Sequence, residues 1–193
     1  MKMPEELYRR MAQTLGDDLV FGEGPDNAPP LLLVGEAPGE QEQKLRRPFV
    51  GKAGKNLTEF LGAVALSRED IFITNVVKRR PTRISSAGRV VNRPPNREEL
   101  KAFTPFLLEE IGLVCPGAVV TLGNVPLQAL MGEKTVIGDC HGTWQRVTLP
   151  NGQSFPLFPL YHPAAVIYNR SLTEVYRRDV QTLYDTMKEV IGR

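Results

Sequence analysis

The sequence predicts an α/β fold of three layers, with a central, mainly parallel sheet covered on both faces by helices. Three observations lead there: short runs that are apolar throughout, helix-length stretches between them, and a regular alternation of the two. The first run is Leu31-Leu32-Leu33-Val34-Gly35, entered through Pro29-Pro30. A strand with no polar face is one buried on both sides, as in a parallel sheet. Lys52 to Val64 then reads as a helix. Ile71-Phe72-Ile73-Thr74-Asn75-Val76-Val77 is the second strand, rich in β-branched residues and halted by a basic cluster. Asn96 to Leu113 is a helix opened by Pro94-Pro95, and Ala118-Val119-Val120-Thr121-Leu122-Gly123 repeats the apolar-then-glycine pattern before a helix from Val125 to Met131. The fourth strand, Phe155 to Leu160, carries two prolines that place it near an edge or make it irregular. Leu172 to Val190 closes the chain as an amphipathic helix through Val175, Leu183, Met187 and Val190.

No repeat, low-complexity tract or long linker divides the 193 residues, so one domain spanning 1–193 is expected. No apolar run approaches the roughly 20 residues a membrane helix needs. The start, Met1-Lys2-Met3-Pro4-Glu5-Glu6, turns acidic where a secretory signal is apolar. A cytoplasmic monomer without a membrane segment is the expectation. Twenty-four basic and 22 acidic residues leave a net charge of +2, which neither demands nor excludes a nucleic-acid partner. The distribution says more. Lys78, Arg79, Arg80, Arg83, Arg89, Arg93 and Arg97 follow one another with no acidic residue between them. Such a block suits a phosphate backbone, or equally a solvated loop. Most of it lies in the one long irregular connection, Arg80 to Pro95. The two cysteines, Cys115 and Cys140, form no C-x-x-C pair, so neither a disulfide framework nor a cysteine metal site is indicated.

In an open α/β sheet functional groups collect beyond the carboxyl ends of the strands. Glu36 follows the first strand, Asn75 sits at the end of the second, Gly123-Asn124 follows the third and Tyr161-His162-Pro163 the fourth. Gly35-Glu36-Ala37-Pro38-Gly39-Glu40 resembles the first motif of the family-four uracil-DNA glycosylases. Arg47-Pro48-Phe49-Val50-Gly51-Lys52-Ala53-Gly54 is similar to that family's loop with a base-stacking aromatic, Thr74-Asn75-Val76-Val77-Lys78 to its uracil-reading strand end, and His162-Pro163-Ala164 to its second catalytic motif. Each alone is weak; four in order cover the chain from about Leu31 to Arg178.

The resemblance implies a uracil-DNA glycosylase-like fold and hydrolysis of the bond between deoxyribose and uracil in DNA, without lyase chemistry. That reaction builds positive charge on the sugar and negative charge on the base. Glu36 and His162 are then the catalytic pair, Glu36 near the sugar and the attacking water, His162 donating to the uracil anion. Ala37, Pro38, Gly39, Phe49 and Asn75 are implied as substrate-binding, Phe49 by stacking and Asn75 by an amide that offers both a donor and an acceptor. Glu42 has a supporting role, and Arg83, Arg89 and Arg93 are assigned to DNA phosphates. The family's [4Fe–4S] cluster takes four cysteines. Here no cysteine precedes Cys115, and Arg79 stands where the family has one of them, so neither cluster nor other metal or cofactor is expected. A related branch that bonds covalently to uracil-containing DNA uses a histidine near the position of Asn92, so covalent capture is not expected either.

Plainer readings stand beside these. Glu36 reads as a helix cap, Phe49 as core, Asn75 as a turn former, Glu40 and Glu42 as solvated or as orienting Glu36, and His141 as part of a tight turn. Two other functions remain open: excision of another deaminated base, hypoxanthine or xanthine, and a DNA-binding damage sensor with little turnover. A dinucleotide-binding domain fails, because Gly35-Glu36-Ala37-Pro38-Gly39 puts a glutamate and a proline where a pyrophosphate loop needs open amides.

Overall fold

The computed structural model describes residues 3–191; Met1 and Lys2, the head of the acidic start, lie outside them. In chain order the elements are α1 (Met3–Leu15), β1 (Leu31–Gly35), α2 (Glu40–Leu45), α3 (Lys52–Ala63), β2 (Phe72–Asn75), β3 (Thr82–Ile84), β4 (Val90–Asn92), α4 (Arg97–Val114), β5 (Ala118–Leu122), α5 (Asn124–Met131), α6 (Ile137–Cys140), β6 (Gln145–Thr148), β7 (Ser154–Leu160), α7 (Pro163–Tyr168) and α8 (Thr173–Ile191). Five strands form the main sheet in the order β2-β1-β5-β7-β6. The first four are parallel and β6 runs antiparallel at the edge.

Strand alternation builds the three layers. Leu32, Val34, Val119 and Leu157 point to one face and pack with Met11, Phe103, Leu107, Ile111 and Leu127, so α1, α4 and α5 cover that side. Leu31, Leu33, Val120 and Phe158 point to the other, against Leu57, Phe60 and Leu61 of α3 and Val180, Leu183 and Met187 of α8. All five residues of β1 are buried. Cutting a side chain such as Leu33 to alanine at its centre costs about 2–5 kcal/mol.

Apart from the short helices α2, α6 and α7, which the sequence reading also lacks, the structure departs from it in four places. The amphipathic helix α1 was not expected. The connection from Arg80 to Pro95 is not irregular: it holds the antiparallel pair β3–β4, with Ile84 opposite Val90 and Thr82 opposite Asn92. Strand β6 was unforeseen, and its presence makes β7 an inner strand despite Pro156 and Pro159. The prolines fit because each lacks a neighbour where its N–H would point. Pro156 precedes the first β5 pairing, Val119 with Leu157. Pro159 lies past the end of β6, and its carbonyl on that side accepts from the Gly142 N–H at 2.9 Å. The fourth departure is Lys78, which is fully buried and so leaves the basic surface block.

Chain order explains where a site can form. From β1 the chain moves outward to β2, then crosses back over β1 to β5 on the other side. The loops therefore part at the carboxyl edge, at the topological switch point where such sheets bind ligands.

Candidate active site

Loops from that edge enclose a cavity of about 610 Å³ lined by Glu36, Ala37, Gly39, Glu42, Phe49, Asn75 and His162, among others. Pro38, buried beneath the same loop, is not among the lining residues.

Glu36 leaves the strand with its backbone carbonyl accepting from the Val77 N–H at 3.1 Å, which ties the ends of β1 and β2 together. Its carboxylate makes no hydrogen bond among the described residues, and burial pushes its pKa above the ordinary carboxylate value. It caps no helix, since α2 begins three residues beyond it at the Gly39 cap. Glu40 is exposed and paired with Lys44 at 2.6 Å. Glu42 behaves differently from either expectation. It is buried, and its carboxylate accepts from the N–H groups of Gly39 at 3.2 Å, Val50 at 3.1 Å and Gly51 at 2.7 Å. It orients two loops rather than Glu36.

Phe49 sits in one of those loops with φ +53°, a left-handed conformation that costs a non-glycine residue about 1–2 kcal/mol. Arg68 compensates by donating to the Phe49 carbonyl at 3.1 Å while it pairs with Glu23. The ring then presses on Gly35, where an added Cβ would lie 2.6 Å from the ring and 2.4 Å from Oδ1 of Asn75. Any residue but glycine there would drive Phe49 and Asn75 out of place.

Asn75 is the buried last residue of β2. Its backbone carbonyl accepts from Nζ of Lys78 at 2.8 Å, and the same ammonium bonds Oε2 of Glu110 at 2.6 Å. Thr74 Oγ1 is a third partner of the ammonium, and Tyr8 donates to the other Glu110 oxygen at 2.7 Å. Burial pulls the Lys78 pKa down while Glu110 opposes the shift. Removing one partner of such a pair strands a buried charge and costs about 3–5 kcal/mol. The network thereby holds the strand end that carries Asn75.

His162 caps α7, its Nδ1 accepting from the Ala164 N–H at 3.1 Å. That bond assigns the proton of the neutral ring to Nε2. Burial keeps its pKa below the usual imidazole value, so the neutral donor is the resting form near pH 7. The cap at Gly123, with φ +89°, lets the chain after β5 approach within 3.4 Å of the His162 Cβ, measured from where its own Cβ would be. His141 does not join the cavity lining. It follows α6 and pairs with Asp179 at 2.7 Å.

The basic connection divides. Arg79 donates to the Leu15 carbonyl, and Arg80 bonds Oδ1 of Asn92 at 2.7 Å and lines the cavity. Arg93 grips Glu99 through two bonds of 2.7 Å and donates to the Thr82 carbonyl at 3.0 Å. Arg83 and Arg89 are exposed and form no ion pair among the described residues. Arg80, Val90, Val91 and Asn92 all line the cavity without having been anticipated. Nothing in their local sequence signalled it, because only the hairpin brings them back over the sheet edge.

A family model of the uracil DNA glycosylase superfamily matches residues 21–184. The chain belongs to this superfamily. It is 38% identical over 189 residues to a type-4 uracil-DNA glycosylase of Pyrobaculum aerophilum, covering 95% of this chain and 87% of that one. It is 36% identical over 174 residues to the type-4 enzyme of Sulfurisphaera tokodaii, covering 85% and 72% of the two chains. With that of Thermotoga maritima it shares 35% over 175 residues, covering 89% and 84%. The [4Fe–4S] cluster that the resemblance to family-four enzymes would imply does not fit the donors present. Only two thiols exist, Cys115 at the end of α4 and Cys140 at the end of α6, and Arg79 is spent on α1.

Proposed function

We propose that the protein removes uracil from DNA by hydrolysing its N-glycosidic bond. The observation that carries this is the meeting of Glu36, Phe49, Asn75 and His162 around one cavity at the carboxyl edge of the sheet. The nucleotide must first leave the base stack, since its glycosidic bond is poorly accessible inside the duplex. Phe49 stacks on the extruded base, and the Asn75 amide donates to O4 and accepts from N3–H, the pattern that separates uracil from cytosine. As the bond to C1′ breaks, its electron pair leaves with uracil N1, and the charge spreads to O2, where Nε2–H of His162 donates. A neutral imidazole suits this role because it stabilises the anion without first having to gain a proton. Glu36, ionised, faces the cationic sugar, positions the water that adds to C1′ and takes up the proton that this water sheds. Ala37 and Gly39 shape the wall beside it, and the hydration that Glu36 lost on burial is recovered against the sugar's charge.

The reading extends to a monomer working in the cytoplasm on DNA through Arg83 and Arg89, with Arg93 holding the root of their hairpin. No helix among the described residues is long and apolar enough to cross a membrane. The test is a glycosylase assay on oligonucleotides carrying uracil, hypoxanthine or xanthine, single-stranded and in each base pair. Alkali-labile abasic sites at uracil, with no strand cleavage before alkali, are expected. Release of hypoxanthine or xanthine alone would replace the substrate, and tight binding without release would make the protein a sensor.

A further inference from the structure

The hairpin β3–β4 carries two large apolar side chains into solvent beside the cavity. Ile84 is 66% and Val90 55% exposed, and they are opposite each other in the antiparallel register. Residues two apart in a strand share a face, so Ile84 and Val90 lie on the face that carries Thr82 and Asn92. Strand β4 runs along the site, with Val90, Val91 and Asn92 all lining the cavity. Asn92 places Nδ2 3.6 Å from where a Cβ on Gly39 would be, and Val90 itself lines the cavity. The tip is narrow and braced: Ser85 donates its N–H to the Arg89 carbonyl at 2.8 Å and accepts from the Gly88 N–H at 2.9 Å, and Gly88 has φ +71°. The root is fixed by Arg93 on Glu99 and Arg80 on Asn92. A stiff hairpin with an exposed apolar pair is an aggregation hazard unless a partner covers it.

Charge and position name the occupant. Arg83 and Arg89 each adjoin a member of the pair and are exposed, and Val90, the register partner of Ile84, lines the cavity that would receive an extruded nucleotide. We propose that the β3–β4 hairpin is a wedge for duplex DNA: Ile84 and Val90 press into the gap the extruded nucleotide leaves in the stack, while Arg83 and Arg89 hold the flanking phosphates. Apolar side chains inserted at a base step offset part of the cost of unstacking it. This rests on the reading of the protein as a uracil glycosylase only for what enters the cavity; a wedge also acts on DNA that is never cleaved.

Two measurements on the full chain separate the ideas. In single-turnover assays, the I84S/V90S variant should lower the ratio of duplex U·A rate to single-strand rate by about tenfold or more, since unstacking and unpairing cost a few kcal/mol. Ile84→Leu should keep the wild-type ratio. In the second measurement, 2-aminopurine is placed next to an uncleavable uracil analogue in a duplex. Its fluorescence should rise on binding the wild type and rise several-fold less with I84S/V90S at saturating protein. An unchanged ratio, or an equal rise with both proteins, overturns the wedge. A wild type that unstacks 2-aminopurine but frees no uracil from either substrate overturns the glycosylase reading and supports the wedge.

Discussion

The two walls of the cavity are made in opposite ways. One is the sheet edge, where Glu36, Asn75 and His162 hang from buried strands, Phe49 is carried by the loop before α3, and Gly35, Glu42 and Lys78 fix them. The other is a hairpin outside the main sheet, made of exposed residues and fastened by side-chain bonds at its root. The first wall excludes water and shifts pKa values; the second stays wet and cationic. Chemistry and DNA contact can therefore be changed separately, by substitutions in one wall that leave the other intact.

The largest effect is expected at the sheet edge. His162→Ala removes the donor to the uracil anion and should slow single-turnover excision by about 10²–10³-fold while binding of an uncleavable analogue changes less. Lost analogue binding with an unchanged rate would make His162 a binding residue. Asn75→Asp should abolish uracil excision, and any activity gained should be toward cytosine, as product analysis of both substrates would reveal. Glu42→Ala tests what the wall is built on. It strands the N–H groups of Val50 and Gly51 and should cost about 2–3 kcal/mol in denaturant unfolding.

A smaller effect separates function from stability at Glu36. Its pKa is raised by burial, so the folded state favours the neutral acid and carries a penalty once the carboxyl ionises. Activity needs the anion and should fall on the acid side, with a limb above the ordinary carboxylate range; His162, lowered by burial, stays neutral until more acid than a free imidazole. Glu36→Gln should therefore melt higher than wild type at neutral pH, with the gap closing as pH falls through the Glu36 pKa. An equal melting temperature throughout would mean the carboxylate is not desolvated. The hairpin gives the smallest change. Replacing Arg83 and Arg89 with alanine should reduce the slope of log binding constant against log salt by about 2, with little change in the single-strand chemical step. Arg93→Ala should instead lower the melting temperature slightly and leave the salt slope nearly unchanged, since its guanidinium is engaged with Glu99.

The same contrast marks what the sequence could reveal. The runs at Leu31, Ile71, Ala118 and Phe155 are apolar because both faces of their strands are covered, and that pattern survives without knowing the neighbours. The three lining residues at strand ends, Glu36, Asn75 and His162, follow from it. Strand β6 does not, because Gln145-Arg146-Val147-Thr148 buries only Val147 and an edge strand needs no more. The hairpin was hidden for a related reason: Thr82-Arg83-Ile84 and Val90-Val91-Asn92 face solvent, so no burial pattern writes them into the sequence. Lys78 misled for the opposite reason. Its charge looked like surface until Glu110, 32 residues later, supplied a buried partner.

Glu42 has one more consequence, in how the pocket can move. By accepting from Gly39, Val50 and Gly51 at once, its carboxylate makes the turn after β1 and the loop bearing Phe49 a single rigid body. Neither can swing without the other. Closure around a bound base must then come from the opposite side, through a shift of α7 with His162 or a hinge at the hairpin root. Amide relaxation-dispersion exchange on substrate binding should accordingly gather at Ala164–Ala165 and at Thr82 and Arg93, and be absent from Gly39 and Gly51.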